Sequence, residues 1–141
     1  MRLLERWQDV SNRHPPTKNE LVFDELVFQH PGLFLSEPVW NGDDLVDLRY
    51  EKVGPEHDAR NGRTVQGLFY SEALHARIWP RSVRAYSEVL KTGEPHYWEI
   101  INTAYGAPPQ RYVRLLLPLY DAHGRAASFL GSRVWIDAVT S

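Results

Sequence analysis

Cysteine is absent from the 141 residues of this chain, and its absence excludes several kinds of site. Without a thiol the chain forms no disulfide, no thiolate zinc site, no iron–sulfur cluster and no cysteine nucleophile. The apolar runs are also short, far below the roughly 20 residues that a membrane-spanning helix needs. The N-terminal residues carry charges throughout and lack the apolar stretch of a signal peptide. We therefore expect a cytoplasmic protein with no membrane partner.

The sequence also lacks an excess of charge of either sign. Sixteen basic and 18 acidic residues give a net charge of −2, whereas nucleic-acid binding needs a concentrated basic surface. The six histidines have no metal-binding spacing, and neither a glycine-rich phosphate loop nor a nucleophilic serine motif is present. We expect no nucleic-acid partner, no metal site and no catalytic residues.

Hydrophobic residues make up 43% of the chain, enough for the core of a single domain. Near the N-terminus, Leu3, Trp7 and Val10 fall on one face of a predicted helix. Two interpretations stay open, because an apolar stripe does not name its partner. The helix packs on its own domain, or these three residues form a dimer interface.

The rest of the N-terminal region predicts a second helix over 20–29, apolar on most sides and ended by Pro31-Gly32. Residues 1–32 are therefore interpreted as an N-terminal helical cap that precedes a domain over 33–141. That domain begins with two strands, 33–40 and 45–53, joined by a turn at Asn41-Gly42. Asn-Gly is the strongest short signal for an antiparallel hairpin.

The period then changes. Residues 54–70 are polar and punctuated by glycine, and a helical region over 71–92 follows, with a predicted break near Trp79-Pro80 and an end at Gly93. Three further strands are predicted at 96–105, 111–119 and 126–136, with turns at 106–110 and 121–124. The predicted fold class is α+β: a five-stranded antiparallel sheet, N-terminal helices, a helical excursion between strands two and three, and all helices on one face.

Four segments carry a family resemblance, and each lies at the matching place in this layout. They are LRYEKVGPEHDARNGRTVQG (48–67), TGEP (92–95), YVRLLLPL (112–119) and FLGS (129–132). Together they resemble a bacterial subfamily of stand-alone PAS domains. The resemblance implies a non-enzymatic sensor or signalling module that binds a small ligand, acting as a homodimer or on a partner signalling protein.

The resemblance leaves the cofactor unknown. Haem-binding members place an axial ligand in the helical region that holds His75, but one candidate histidine does not favour haem. The photoactive flavin type needs a cysteine for its adduct, and this chain has none.

Candidate ligand-binding residues are the aromatic side chains that could face a pocket under the excursion, namely Tyr50, Trp79, Tyr86 and Trp98, together with His75. The alternative, a filled core, is favoured, because aromatic enrichment is the ordinary composition of a core.

Arg114 is a further candidate, since an arginine facing the pocket would bind a carboxylate or phosphate through two parallel hydrogen bonds. Alternation groups Arg114 with Tyr112 and Leu116, opposite a strongly apolar set. We take the apolar set, Val113, Leu115 and Leu117, as the core face. Arg114 is then expected on a solvated or partner-facing side, where it would form a docking surface with Arg133 and Trp135.

Two other functions remain as alternatives. One is a small α+β enzyme of the NTF2-like kind that uses His75 or His96 with a nearby carboxylate, and the other is a ligand-free protein-interaction domain. An NTF2-like chain places its long helices before the sheet, whereas two strands precede the helical excursion here, which favours the sensor.

Overall fold

The computed structural model describes residues 2–74, 76–102 and 110–136. Residues 106–109 of the predicted turn, the end of the third predicted strand and His75 lie outside the described residues. The elements are, in chain order, α1 (Leu3–Ser11), α2 (Phe23–Leu26), β1 (Leu33–Asn41), β2 (Asp44–Val53), α3 (Pro55–Asn61), α4 (Tyr70–Ala73), α5 (Trp79–Thr92), β3 (His96–Asn102), β4 (Gln110–Tyr120) and β5 (Ala126–Trp135).

The five strands form one antiparallel sheet in the order β2-β1-β5-β4-β3. The first hairpin turns at Gly42, whose φ of 62° is a left-handed conformation that glycine adopts without steric cost. The five-stranded antiparallel sheet, the Asn-Gly hairpin and the position of the excursion after the second strand are all confirmed. Because β1 pairs with β5, the first and last strands lie together at the centre of the sheet.

Helices cover both faces of the sheet, so the prediction that they share one face is wrong. On one face α1 and α2 pack against inward-facing residues of β1, β4 and β5, including Leu33, Leu117 and Leu130. On the other face the excursion packs against a second cluster that contains Phe34, Leu116 and Phe129. Alternate residues of the central strands are therefore buried on opposite sides, and the sheet forms the middle layer of three.

Helix α1 is fixed to its own chain. Leu3, Trp7 and Val10 are all buried in the first cluster, and the Trp7 indole N–H donates a hydrogen bond of 2.9 Å to the carbonyl of Pro118 in β4. The first interpretation, packing on its own domain, describes this arrangement. The dimer interpretation required these three side chains to be exposed, and their burial corrects it.

The second predicted helix, 20–29, contracts to the single turn of α2. Its apolar residues divide: Leu21, Phe23 and Leu26 are buried, whereas Phe28 is 86% exposed. A continuous helix over 20–29 would direct further apolar side chains away from the sheet. The short turn instead allows Leu21, Phe23 and Leu26 to be buried.

The excursion contains α3, α4 and α5. The break near Trp79-Pro80 is confirmed, because α4 ends at Ala73 and α5 begins at Trp79 with Pro80 in its first turn. Gly93 ends α5 with a φ of 66°, the left-handed cap that its position predicts. The first turn of α5 lies beside β3 and β4.

Candidate functional site

The space beneath the excursion is filled by aromatic side chains. Tyr50 and Tyr70 stack with ring centroids 4.2 Å apart, and the edge of Tyr70 meets the ring of Tyr86 at 5.5 Å. A buried chain of hydroxyl groups runs from Ser36 to Tyr70 and on to Tyr86, with both oxygen–oxygen distances at 2.6 Å. Tyr50 and Tyr86 were predicted to line a ligand pocket; the structure places both fully inside a packed core.

The tyrosine hydroxyls are held in their neutral form. Burial raises the pKa of Tyr70 well above its ordinary value, and burial likewise raises the pKa of Tyr86. The Tyr50 hydroxyl is also buried but has no hydrogen-bond partner among the described residues. Tyr70 and Tyr86 therefore keep their hydroxyl protons at neutral pH and use them for hydrogen bonding within the core.

A cavity of about 450 Å³ opens beside this core, between the first turn of α5 and the strands β3 and β4. A volume of this size lies within the range of small-molecule sites. Its walls combine apolar and charged side chains from three elements. Those used below are Ile78, Arg81, Ser82, Trp98, Ile100 and Arg114.

Arg114 is the most unusual residue of this cavity. It lies on β4 with only 3% of its surface exposed, and its guanidinium lies over the ring of Tyr86 at 5.8 Å. Among the described residues, its Nε has no hydrogen-bond partner and no carboxylate pairs with it. Buried arginines are normally paired, because an unpaired charge in the interior costs free energy.

The prediction that Arg114 lies on a solvated or partner-facing side is therefore wrong, and so is the docking surface that it implied. Arg133 and Trp135 share its face of the sheet and are buried with it. Helices cover both faces of the sheet: Leu117 lies in the core under α1 and α2 as expected, and Arg114 is buried on the opposite face. Arg114 instead lines the cavity between α5, β3 and β4, and its role as a ligand-binding residue stays a prediction.

The other charges around the cavity leave it positive. Arg81 is exposed in the first turn of α5, and no ion pair holds it within the described residues. The carboxylate of Glu99 accepts a hydrogen bond of 2.6 Å from Nε of Arg111. The acidic group at the rim is thus already neutralised, whereas Arg81 and Arg114 are not.

The remaining predicted ligand residues divide around this cavity. Trp98 lines it and is 53% exposed, and it neighbours Arg114 across the β3–β4 ladder. Trp79 is half-buried against the aromatic core. Of the five predicted ligand residues that the structure describes, the cavity brings together Trp98 and Arg114.

Sequence reasoning missed a second buried basic cluster on the same face of the sheet. The Arg133 guanidinium lies 5.2 Å from the rings of both Phe34 and Tyr112. His57 lies in α3, close to Phe34, Tyr50 and Trp135. Burial, together with the positive charge of Arg133, lowers the pKa of His57 to about 2, so this histidine is neutral in the folded protein. Its polar sequence context, GPEHDAR, gave no sign of burial.

The described side chains suit neither flavin nor haem. The interior between excursion and sheet holds the stacked tyrosines, and the chain has no cysteine for a flavin adduct. No cluster of three or more His, Cys, Asp or Glu that would hold a metal ion occurs in 2–74, 76–102 and 110–136.

His96 is partly buried beside Trp98, and burial, followed by the charge of Arg114, lowers its pKa. In the described part of the chain, no helix has the length and apolar character of a membrane span.

This strand order, with a helical excursion after the second strand, defines the PAS fold, and the solved structures that resemble the chain agree. A light-oxygen-voltage domain studied with a flavin analogue matches with a TM-score of 0.60 at 15% identity, over 86% of this chain and 88% of the other. The LOV domain of the blue-light photoreceptor Aureochrome1 matches at 0.53 and 10% identity, over 83% and 90%.

The PAS domain of the fruit-fly ELK potassium channel matches with a TM-score of 0.55 at 14% identity, over 85% of this chain and 98% of the other. No family model and no curated protein matches the sequence. The chain thus has the PAS/LOV fold rather than an NTF2-like one. The bacterial stand-alone subfamily stays a prediction.

Proposed function

We propose that this protein is a non-enzymatic sensory module of the PAS type that binds a small ligand in the cavity between α5, β3 and β4. The observation that carries the proposal is Arg114, a buried cation that lines a cavity and lacks a partner among the described residues. Proteins retain such costly groups where a ligand supplies the missing interaction. The described residues that line this cavity contain no paired general acid and general base.

The position of the cavity supports a sensing role. Arg114 contacts Tyr86 of α5, and the hydroxyl of Tyr86 continues to Tyr70 of α4 and Ser36 of β1. A ligand that repositions the guanidinium would therefore act on a hydrogen-bonded chain that joins the excursion to the central strand. Binding that favours one arrangement of this chain shifts the population of the excursion.

The receiver of the signal is proposed to be a second copy of the chain or a partner signalling protein in the cytoplasm. Tyr97, Ile101 and Val134 support this, because they are 66%, 65% and 61% exposed on the part of the sheet that α1 and α2 leave uncovered. Exposed apolar patches of this kind mark protein contacts. Leu3, Trp7 and Val10 are not part of this proposal.

The test is a thermal-shift screen with a panel of small carboxylates, phosphates, amines and neutral aromatics, alongside native mass spectrometry of the purified protein. Ile100→Trp fills the cavity from β3, and Val46→Trp adds similar bulk at an exposed position of β2 that does not line the cavity. We expect at least one panel member to raise the melting temperature of the wild type and of Val46→Trp, but not of Ile100→Trp. If no panel member binds and the protein carries only its polypeptide mass, the ligand-free interaction domain replaces the sensor.

A further inference from the structure

The cavity itself contains enough chemistry to name a class of ligand. This inference rests on the proposed function, because it specifies what the proposed cavity takes. Arg114 supplies a planar set of donors from β4, of which the Nε–H is buried and has no hydrogen-bond partner among the described residues. An arginine guanidinium is always charged in proteins and matches the geometry of carboxylate and phosphate oxygens.

A second positive group approaches from the opposite wall. Arg81 projects from the first turn of α5, a helix of 14 residues whose N-terminal end carries a partial positive charge. Glu99 is the carboxylate of the described wall. Because it is already bound to Arg111, it does not neutralise Arg81 and Arg114. The electrostatics of the cavity select against cationic ligands and favour an anion.

Apolar side chains form another part of the wall, which also contains Arg77, Ser82 and Tyr112. Trp98 and Ile100 extend from β3 on the same face as Arg114, and Ile78 closes the other side. His96 packs against the Trp98 ring on one side, but Trp98 is still 53% exposed, so a large aromatic surface remains open at the cavity. An inorganic anion would leave this surface bare, whereas a ligand with an apolar body would cover it and gain from its burial.

We propose that the cavity binds an organic oxyanion. A carboxylate or phosphate group engages Arg114, with Arg81 adding charge at the rim, and an aromatic or aliphatic body lies against Trp98, Ile100 and Ile78. Carboxylates and phosphates share this recognition chemistry, and the experiment separates them.

The experiment is titration calorimetry of the full chain with four probes: benzoate, phenyl phosphate, the neutral isostere benzamide, and inorganic phosphate. We expect benzoate or phenyl phosphate to bind at least tenfold more tightly than benzamide and inorganic phosphate. The binding of the anion should weaken with increasing salt, because it depends on charge. Whichever anionic probe binds more tightly identifies the preferred oxyanion.

Two variants test whether the anionic probe binds at Arg114. Arg114→Met should weaken binding of the anionic probe at least tenfold, and Arg114→Lys should weaken it too, because lysine keeps the charge but loses the planar pair of donors. Arg133→Met is the matched control, since Arg133 is a buried arginine beside Arg114 that does not line the cavity. It should leave the affinity unchanged. The lysine variant keeps the test decisive if the methionine variant does not fold.

The outcomes separate this inference from the proposed function. Equal affinity for benzamide and benzoate, or anion binding that survives both Arg114 variants, overturns the oxyanion while a ligand cavity stands. Inorganic phosphate that binds as tightly as phenyl phosphate overturns the organic body. Binding by none of the four probes also overturns the inference, and the thermal-shift panel then decides the proposed function separately.

Discussion

Replacing Arg114 by methionine should make the ligand-free protein more stable. Arg114 is 3% exposed, and its only contact of electrostatic benefit among the described residues is the ring of Tyr86 at 5.8 Å. Loss of that cation–π contact costs about 1–2 kcal/mol. Removal of an unpaired buried charge recovers a desolvation penalty of several kcal/mol, which the adjoining cavity reduces. The expected net gain is about 1–3 kcal/mol in the free energy of unfolding.

That gain corresponds to a rise of about 3–10 °C in melting temperature for a domain of this size. The assay is urea denaturation and calorimetry of extensively dialysed protein, so that no ligand contributes. Arg49→Met provides the baseline, because Arg49 forms a partly exposed ion pair with Glu37 whose removal should change stability by less than about 1 kcal/mol. A fall in the stability of Arg114→Met would refute the reasoning, since it would show that the arginine has a structural partner.

Three other predictions concern the core. His57→Gln should make the free energy of unfolding less dependent on pH below pH 6.5. Folding lowers the pKa of His57 from 6.5 to about 2, so the stability that its neutral form contributes is fully present above pH 6.5 and is lost as the pH falls. The wild type should therefore lose about 1.4 kcal/mol more than the variant per pH unit below pH 6.5. Tyr86→Phe breaks the 2.6 Å hydrogen bond to Tyr70 and should cost about 1–2 kcal/mol, whereas Tyr50→Phe removes a buried hydroxyl that has no partner among the described residues and should be neutral or stabilising. Gly131→Ala places a Cβ 2.1 Å from the Phe34 ring and should cost at least about 2 kcal/mol.

Each of these has an internal check in denaturant unfolding. Parallel pH slopes for wild type and His57→Gln would show that the histidine titrates normally in the fold. A larger loss for Tyr50→Phe than for Tyr86→Phe would contradict the hydroxyl chain. For Gly131 the comparison is Gly42→Ala, where nothing lies within 4 Å and only the φ of 62° opposes the methyl group. The cost at Gly131 should shrink when Phe34→Leu is combined with it, and additive costs would exclude the clash.

The sequence predicted the elements whose causes are local. Asn41-Gly42 fixed the first hairpin, Pro80 marked the start of α5 and Gly93 its end, because turn and cap conformations depend on the residues that adopt them. The helix over 20–29 was overextended, since its true length depends on which apolar side chains reach the sheet. Leu21 and Phe23 reach it and Phe28 does not, and no local pattern reveals that.

The candidate site shows a different limit. Alternation correctly groups Tyr112, Arg114 and Leu116 on one face of β4, but it does not say which faces are covered. With helices on both sides, the more apolar face is not the only core face. Trp98 and Arg114 were selected individually by residue type, and their meeting in one cavity depends on the β3–β4 register and on the first turn of α5, which are tertiary features.

The pairing of β1 with β5 has a consequence for the order of assembly. Leu33 lies opposite Ser132, so the centre of the sheet joins residues from opposite ends of the described chain. The β1–β2 hairpin and the β3–β4–β5 meander can each form from neighbouring residues, but they meet only when the last strand is available. Until then β1 has an unpaired edge rich in Leu and Phe, the kind of edge that recruits other chains. During synthesis on the ribosome, the pairing of β1 with β5 at the middle of the sheet therefore forms last. Folding should be slow for a domain of this length, because the contacts between β1 and β5 join residues far apart in the sequence.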